Sequence, residues 1–264
     1  MIYEQLLDAD ADWALREGSR HFEEGGAVQA SLRRITRRLH ELGIPYAIAG
    51  GMALFAHGLR RFTEDVDLLV TEEGLKRIHR ELEGAGYRPP FEGSKNLRDA
   101  ESGVRIEFLV TGQFPGDGKP KPVAFPLPEA VSMVRDGIRY LNLPTLIELK
   151  LASGMTNPQR VKDLADVQEL IKLLVLPEDL ALQLNPYVRS RFTELWKAAQ
   201  GPATRYLRLW RKVPAPDAAL SAMLEDGVTL ETSGGTAGDY VRLVTTDPVI
   251  ARKYEMHEES EFLG

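Results

Sequence analysis

The segment from Ile48 to Val70, IAGGMALFAHGLRRFTEDVDLLV, constrains this chain more than any other stretch. An apolar run ends in Gly50 and Gly51, a short helical stretch follows, and a strand-like run opens with Asp65 and Asp67. Residues i and i+2 of a strand share a face, so the two carboxylates project together beside a glycine turn. A carboxylate pair suits a hard divalent cation, and a glycine turn lets backbone N–H groups approach a phosphate. Each feature alone is weak, because most glycine pairs are turns and acidic strand ends usually face water. In this order they fall at neighbouring strand ends, the preorganised arrangement that phosphoryl chemistry needs. Together they outline a metal-dependent site for a nucleoside triphosphate.

The flanking sequence frames that site. Val28, Leu32, Ile35, Leu39 and Leu42 recur at spacings of three and four, which predicts a helix over 27–42 closed by Gly43 and Pro45. Its other face carries Arg33, Arg34, Arg37 and Arg38, either a solvated helix face or a phosphate-contacting patch for RNA. Tyr46 to Ala49 and Asp65 to Val70 read as strands, Met52 to His57 and Glu72 to Glu83 as helices. Residues 95–110 read as a hairpin turning at Ser102-Gly103, with Arg105, Glu107 and Leu109 sharing one face of the return strand. The Gly- and Pro-dense run 111–128 is a loop, and Ile138 to Leu143 a strand. Thr145 is expected to cap a helix ended by Gly154, and Arg160 to Leu174 to form a second helix. Residues 178–212 look helical, with Trp196 and Trp210 as packing anchors. Pro214-Ala215-Pro216 reads as a linker, and the tail beyond it as a short helix, a turn at Gly234-Gly235 and a strand near Tyr240 to Val244.

Several further residues could carry chemistry. Glu107 lies within an apolar strand, where a charge needs a metal or a salt bridge to a nearby arginine. In a metal-assisted transfer it is also the best placed carboxylate to deprotonate an attacking hydroxyl. Lys150 follows Leu146 and Ile147 on the apolar side of its helix, so it either snorkels or reaches for an anion. Asp163 sits at the edge of the buried stripe that includes Leu164 and Val167, although Arg160, Lys162, Asp163 and Asp166 also fit an ordinary charged helix face. His57 at a helix end is read as a cap or a packed side chain. Arg34 and His40 loosely mimic an RNase pairing but share one surface helix.

Composition narrows the class of protein. The 264 residues carry a net charge of −6, which excludes an overall cationic coat but not a local basic groove. There is no cysteine, so neither a disulfide framework nor a thiolate metal site exists. The acidic start, MIYEQLLDADADW, lacks a signal pattern, and no apolar run approaches the roughly 20 residues that span a bilayer. A soluble, cytoplasmic protein without membrane contact is expected.

The segment 48–70 resembles the signature of the DNA-polymerase-β-like nucleotidyltransferase superfamily, Gly-Gly or Gly-Ser followed by Asp-x-Asp. The stretch LPTLIELKLASGMTNPQRVKDLADVQELI is similar to the Lys and Arg-x-Lys-Asp motifs of its AbiEii-type branch, which includes type IV toxin–antitoxin toxins. The resemblance implies an α+β fold, a small mixed β-sheet flanked by helices with a helical C-terminal half. The chain is accordingly read as a nucleotidyltransferase core over 27–144 and a helical region over 145–213 completing the site, with an N-terminal extension over 1–26 and a tail of unknown role over 214–264 that the resemblance does not cover. The resemblance implies that Asp65 and Asp67 hold Mg²⁺, with Glu107 as a third ligand, and that Gly50 and Gly51 cradle the triphosphate. Thr63 and Arg160 join them as nucleotide-binding candidates, Lys150 contacts the phosphates, and Asp163 belongs to the catalytic cluster. The implied reaction moves a nucleoside monophosphate from an NTP to an acceptor hydroxyl. The acceptor is tRNA or another RNA, or a small molecule such as an aminoglycoside. An antitoxin is the implied protein partner. The alternative is a non-catalytic nucleotide-binding or protein-interaction module that kept the fold. Two departures stand out: Gly51 where many members carry serine, and Glu107 where aspartate is usual.

Overall fold

The computed structural model describes residues 2–200, 205–211, 218–231 and 240–259. The chain divides into two compact units, Met1–Ala199 and Gln200–Gly264. The first begins with helices α1 (Tyr3–Ala9), α2 (Ala11–Phe22) and α3 (Ala27–Glu41). Then come β1 (Tyr46–Ile48), α4 (Gly50–Ala56), β2 (Asp65–Val70), α5 (Glu72–Leu82), β3 (Tyr87–Arg88), β4 (Leu97–Asp99) and β5 (Arg105–Val110). They are followed by α6 (Pro128–Val131), β6 (Ser132–Arg135), β7 (Ile138–Leu141), α7 (Leu143–Thr156), α8 (Val161–Leu174) and α9 (Pro186–Gln200).

The seven strands form one mixed sheet in the order β3-β4-β5-β2-β1-β7-β6. β2 lies at its centre, antiparallel to β1 and parallel to β5. Alternation along β2 sends Val66, Leu68 and Val70 to one face, where they pack with Ile106 and Phe108 against Leu32, Ile35 and Ile78 of α3 and α5. Asp65, Asp67 and Leu69 point to the other face. There Leu69 joins a second core with Leu146, Leu151, Val167, Leu170 and Phe192 of α7, α8 and α9. The helical region over α7 to α9 thus covers the face of the sheet that bears the carboxylates.

The N-terminal extension is helical and packed. Tyr3 is fully buried, meets Trp13 edge-on and donates to Glu17 at 3.2 Å. His21 of α2, itself buried, bonds the carbonyl of Arg61 at 3.1 Å and lies edge-on to Phe62, so α2 braces the loop ahead of β2. On α3, Arg34 donates to Asp99 at 2.7 Å and Glu101 at 3.1 Å, Arg38 pairs with Glu41, and Arg33 caps a carbonyl at Glu24. Arg34 is thus tied to the end of β4, whereas Arg33 and Arg37 are exposed and Arg38 pairs along its own helix.

Three local expectations need correction. Asn142, not Thr145, caps α7, its side chain accepting from Thr145 N at 3.0 Å, with Pro144 in a first turn that needs no N–H from it. Gly154 lies inside α7 instead of ending it. A Cβ there would fall 2.6 Å from Leu164, so the glycine lets α7 and α8 approach closely. The run 178–212 is helical only through α9. Tyr206–Arg211 is β8, because its alternation of Tyr206, Arg208 and Trp210 with Leu207 and Leu209 has a period of two. β6 was not expected.

β8 opens the second unit, which adds α10 (Ala218–Glu225), β9 (Thr229–Glu231), β10 (Tyr240–Thr245), α11 (Pro248–Lys253) and β11 (His257–Glu258). Its antiparallel sheet runs β11-β8-β10-β9 around Met223, Val228, Leu243, Ala251 and Met256. Trp210 packs on this small core and Trp196 donates to Leu176 O at 2.8 Å, so both anchor packing. The Pro214 linker and the Gly234-Gly235 turn lie outside the described residues.

Candidate active site

The parallel register of β2 and β5 sets Asp65 opposite Arg105 and Asp67 opposite Glu107. Asp65, Asp67 and Glu107 each offer an oxygen within 4.8 Å of the others. All three are partly exposed at the floor of a cleft of about 330 Å³. Burial, then the neighbouring charges of Asp65 and Glu107, push the Asp67 carboxyl up to about 8, against the opposing pull of Lys150 and Arg160. Three converging carboxylates with one so perturbed make a site short of positive charge, and an all-oxygen donor set fits a hard divalent cation. Glu107 also takes the salt bridge considered for it: Arg105 lies 3.1 Å away and donates to Asp65 at 3.2 Å.

Both glycines are set by contact. Gly50 opens α4 with φ +56, and a Cβ on it would lie 1.7 Å from Asp67 Oδ2. Only glycine allows that backbone conformation and that proximity together. A Cβ on Gly51 would fall 2.6 Å from both Cβ and Oγ1 of Thr63. Thr63 fills the space that a serine at position 51 would need, and its hydroxyl donates to Asp65 at 2.9 Å. Its hydroxyl thus lies where a side chain at position 51 would otherwise approach the carboxylates.

The opposite wall comes from α7 and α8. Lys150, 6% exposed, donates to Asp163 at 2.8 Å and to Asp166 at 2.7 Å. An ammonium has three N–H groups, so one remains for the cleft that Lys150 lines. Burial opposes the ionisation of Asp163, but the Lys150 charge and the hydrogen bonds from Lys150 and Ser153 hold its carboxyl below the usual range. Asp166 is buried and pairs with Arg61 at 3.0 Å as well as with Lys150. Arg160, on a 3-10 turn before α8, lies 3.6 Å from Asp163 and lines the cleft beside Lys162.

The cleft brings together every residue that the sequence assigned to the site: Gly50, Gly51, Thr63, Asp65, Asp67, Glu107, Lys150, Arg160 and Asp163. His57 stands apart at the end of α4, bonding Leu141 O at 2.8 Å. Sequence reasoning did not assign Arg61, Arg105 or Asp166 to the site. Asp166 had a signal, since it lies three residues after Asp163 and so on the same helix face.

A family model described as nucleotidyl transferase AbiEii toxin, type IV TA system, matches residues 34–233. The chain belongs to this family. It is therefore a nucleotidyltransferase, of a toxin–antitoxin type. The AbiEii match takes in the cleft and both of its walls. No curated protein sequence matches the chain. Among solved structures, it is similar to ANT(2'')-Ia in complex with adenylyl-2''-tobramycin, with 14% identity over 62% of this chain and 96% of that one and a TM-score of 0.43. It is also similar to TM1012 of Thermotoga maritima, solved as a proposed nucleotidyltransferase, with 18% identity over 55% and 88% and a TM-score of 0.34. Both likenesses are distant.

Proposed function

We propose that this AbiEii family member transfers a nucleoside monophosphate from an NTP to a hydroxyl of an RNA acceptor, tRNA included, in a Mg²⁺-dependent reaction. The observation that carries the reading is the meeting, in one cleft, of three carboxylates with a cation-bearing wall. Asp65, Asp67 and Glu107 would hold the metal, whose charge stabilises the oxygens of the transferring phosphate. Gly50 and Gly51 let the start of α4 close on Asp67 and Thr63, and the backbone N–H groups there would meet the triphosphate. Lys150 and Arg160 place positive charge on the β- and γ-phosphates. Asp163 and Asp166 orient Lys150, and Thr63 orients Asp65.

Glu107 takes the proton of the acceptor hydroxyl as its oxygen bonds to the α-phosphorus. The bond from the α-phosphorus to the β-bridging oxygen breaks, and pyrophosphate leaves with that electron pair. NTP and tRNA are both cytoplasmic, and we place the reaction there. No described helix is long and apolar enough to cross a membrane. Membership of a toxin–antitoxin family implies an antitoxin as partner.

The test is to incubate the protein with each α-labelled NTP, Mg²⁺ and total tRNA, beside Asp65→Asn/Asp67→Asn. Label moved to RNA by the wild type and not by the variant is the expected result. No transfer to RNA, with no Mg²⁺-dependent NTP binding, would overturn the reading.

A further inference from the structure

An acceptor must reach Glu107 from a side that the triphosphate does not fill. A second cavity, of about 480 Å³, adjoins the carboxylate cleft. The two share Leu109, Pro115, Gly116, Phe125 and Arg160. Leu109 follows Glu107 by two residues on the same face of β5, so the second cavity opens one strand repeat, roughly 7 Å, beyond that carboxylate.

The loop that walls this cavity is fastened. Lys121 reaches inward to Asp117, to the carbonyl of Pro115 at 2.5 Å and to Thr156 at 3.1 Å. Gly116 sits so near α7 that a Cβ on it would fall 2.2 Å from the Thr156 hydroxyl. The cavity is therefore built in advance of any ligand. Among the described residues its lining holds two cations, Lys95 and Arg160, and no carboxylate. Lys95 is exposed and makes no ion pair with a described residue. Phe114 offers an aromatic face and Gln113 an exposed amide.

We propose that this cavity is the acceptor subsite and that it takes a nucleotide of a single-stranded RNA end. Lys95 faces its phosphodiester, Phe114 stacks on its base, and Arg160 stands between this subsite and the triphosphate. A polycationic small acceptor meets like charge there. The inference rests on the nucleotidyl-transfer reading of the neighbouring cleft.

The experiment uses the full chain with a labelled RNA hairpin ending in a single-stranded 3′ tail. RNA affinity by anisotropy, acceptor KM, and Mg²⁺-dependent binding of a fluorescent NTP analogue are measured for the wild type, Lys95→Glu and Phe114→Ala. Each variant is expected to weaken RNA binding and raise acceptor KM, Phe114→Ala by about tenfold, within the range for one lost base stack. Lys95→Glu should also flatten the salt dependence of binding by ~0.7, the slope of one single-strand phosphate contact. NTP affinity stays at the wild-type value. Wild-type RNA affinity and KM in both variants, with transfer intact, overturn the subsite and leave the transfer reading standing. Transfer to a cationic aminoglycoside and not to RNA overturns it too. A wild type that neither binds NTP nor transfers overturns the reading beneath it.

Discussion

A methyl group placed on Gly50 would lie 1.7 Å from the Asp67 carboxylate. The start of α4 and the middle of β2 are therefore fitted to each other at one atom. Gly50→Ala must move the carboxylate or the helix, and a shift of about 1 Å at a reacting centre costs on the order of 10²-fold in rate. The left-handed φ adds roughly 1–2 kcal/mol of strain. We expect transfer to fall at least about 100-fold while far-UV circular dichroism stays that of a folded protein.

Gly51 and Thr63 form a second fitted pair. Gly51→Ser alone drives a side chain into Thr63 and should lower both stability and activity. Thr63→Gly removes the obstacle and also the hydroxyl that holds Asp65. The double variant should be more stable than the sum of the singles allows, with a coupling of about 0.5–3 kcal/mol in a urea-unfolding cycle. Additive effects would show that the two positions do not share this space.

Asp166 joins α8 to both Lys150 and Arg61 from a buried position. Removing one partner of a buried ion pair typically costs about 3–5 kcal/mol, because the remaining charge is left unpaired. Asp166→Ala leaves Arg61 without its partner while Lys150 keeps Asp163, so it should destabilise the first unit by about 3 kcal/mol, the low end of that range, and Asp166→Asn by less, since the amide oxygen still accepts. Chemical denaturation of both variants checks the ranking.

The raised Asp67 carboxyl gives a pH prediction with a definite sign. Between about 4 and about 8 the unfolded chain has lost the Asp67 proton while the metal-free folded protein keeps it. The unfolded state binds fewer protons, so this group makes stability fall as pH rises through that window. Asp67→Asn carries no such penalty. In EDTA its Tm should exceed that of the wild type near pH 8, and the gap should close towards pH 4. Added Mg²⁺ should raise the Tm of the wild type more than that of the variant.

Much of this was legible in the sequence because it rests on short periods. Alternation in DVDLLV and RIEFLV put Asp65, Asp67 and Glu107 on defined faces, and the sheet order only had to bring β2 beside β5. The position of Lys150 on the apolar side of α7 marked it as unusual, but its two aspartate partners depend on how α7 packs on α8. Gly154 shows the same limit: a glycine near a helix end reads as a stop until the neighbouring helix is seen against it. Arg61 left no trace, since an arginine in a loop carries no periodic signal, whereas Arg105 shared the face of Glu107 and only its reach to Asp65 depended on the pairing of β5 with β2. β8 was hidden by a helical run that ends only a few residues before it.

The alternation along β2 separates two kinds of failure. Changes at Val66, Leu68 or Val70 empty the core and lose the protein; Leu68→Ala alone would cost about 2–5 kcal/mol. On the proposed reading, changes at Asp65 or Asp67, which face the cleft and not the core, would disarm the enzyme and leave its body folded. Activity can thus be silenced without lowering the amount of folded chain, so a lost function at these positions would not register as lost protein.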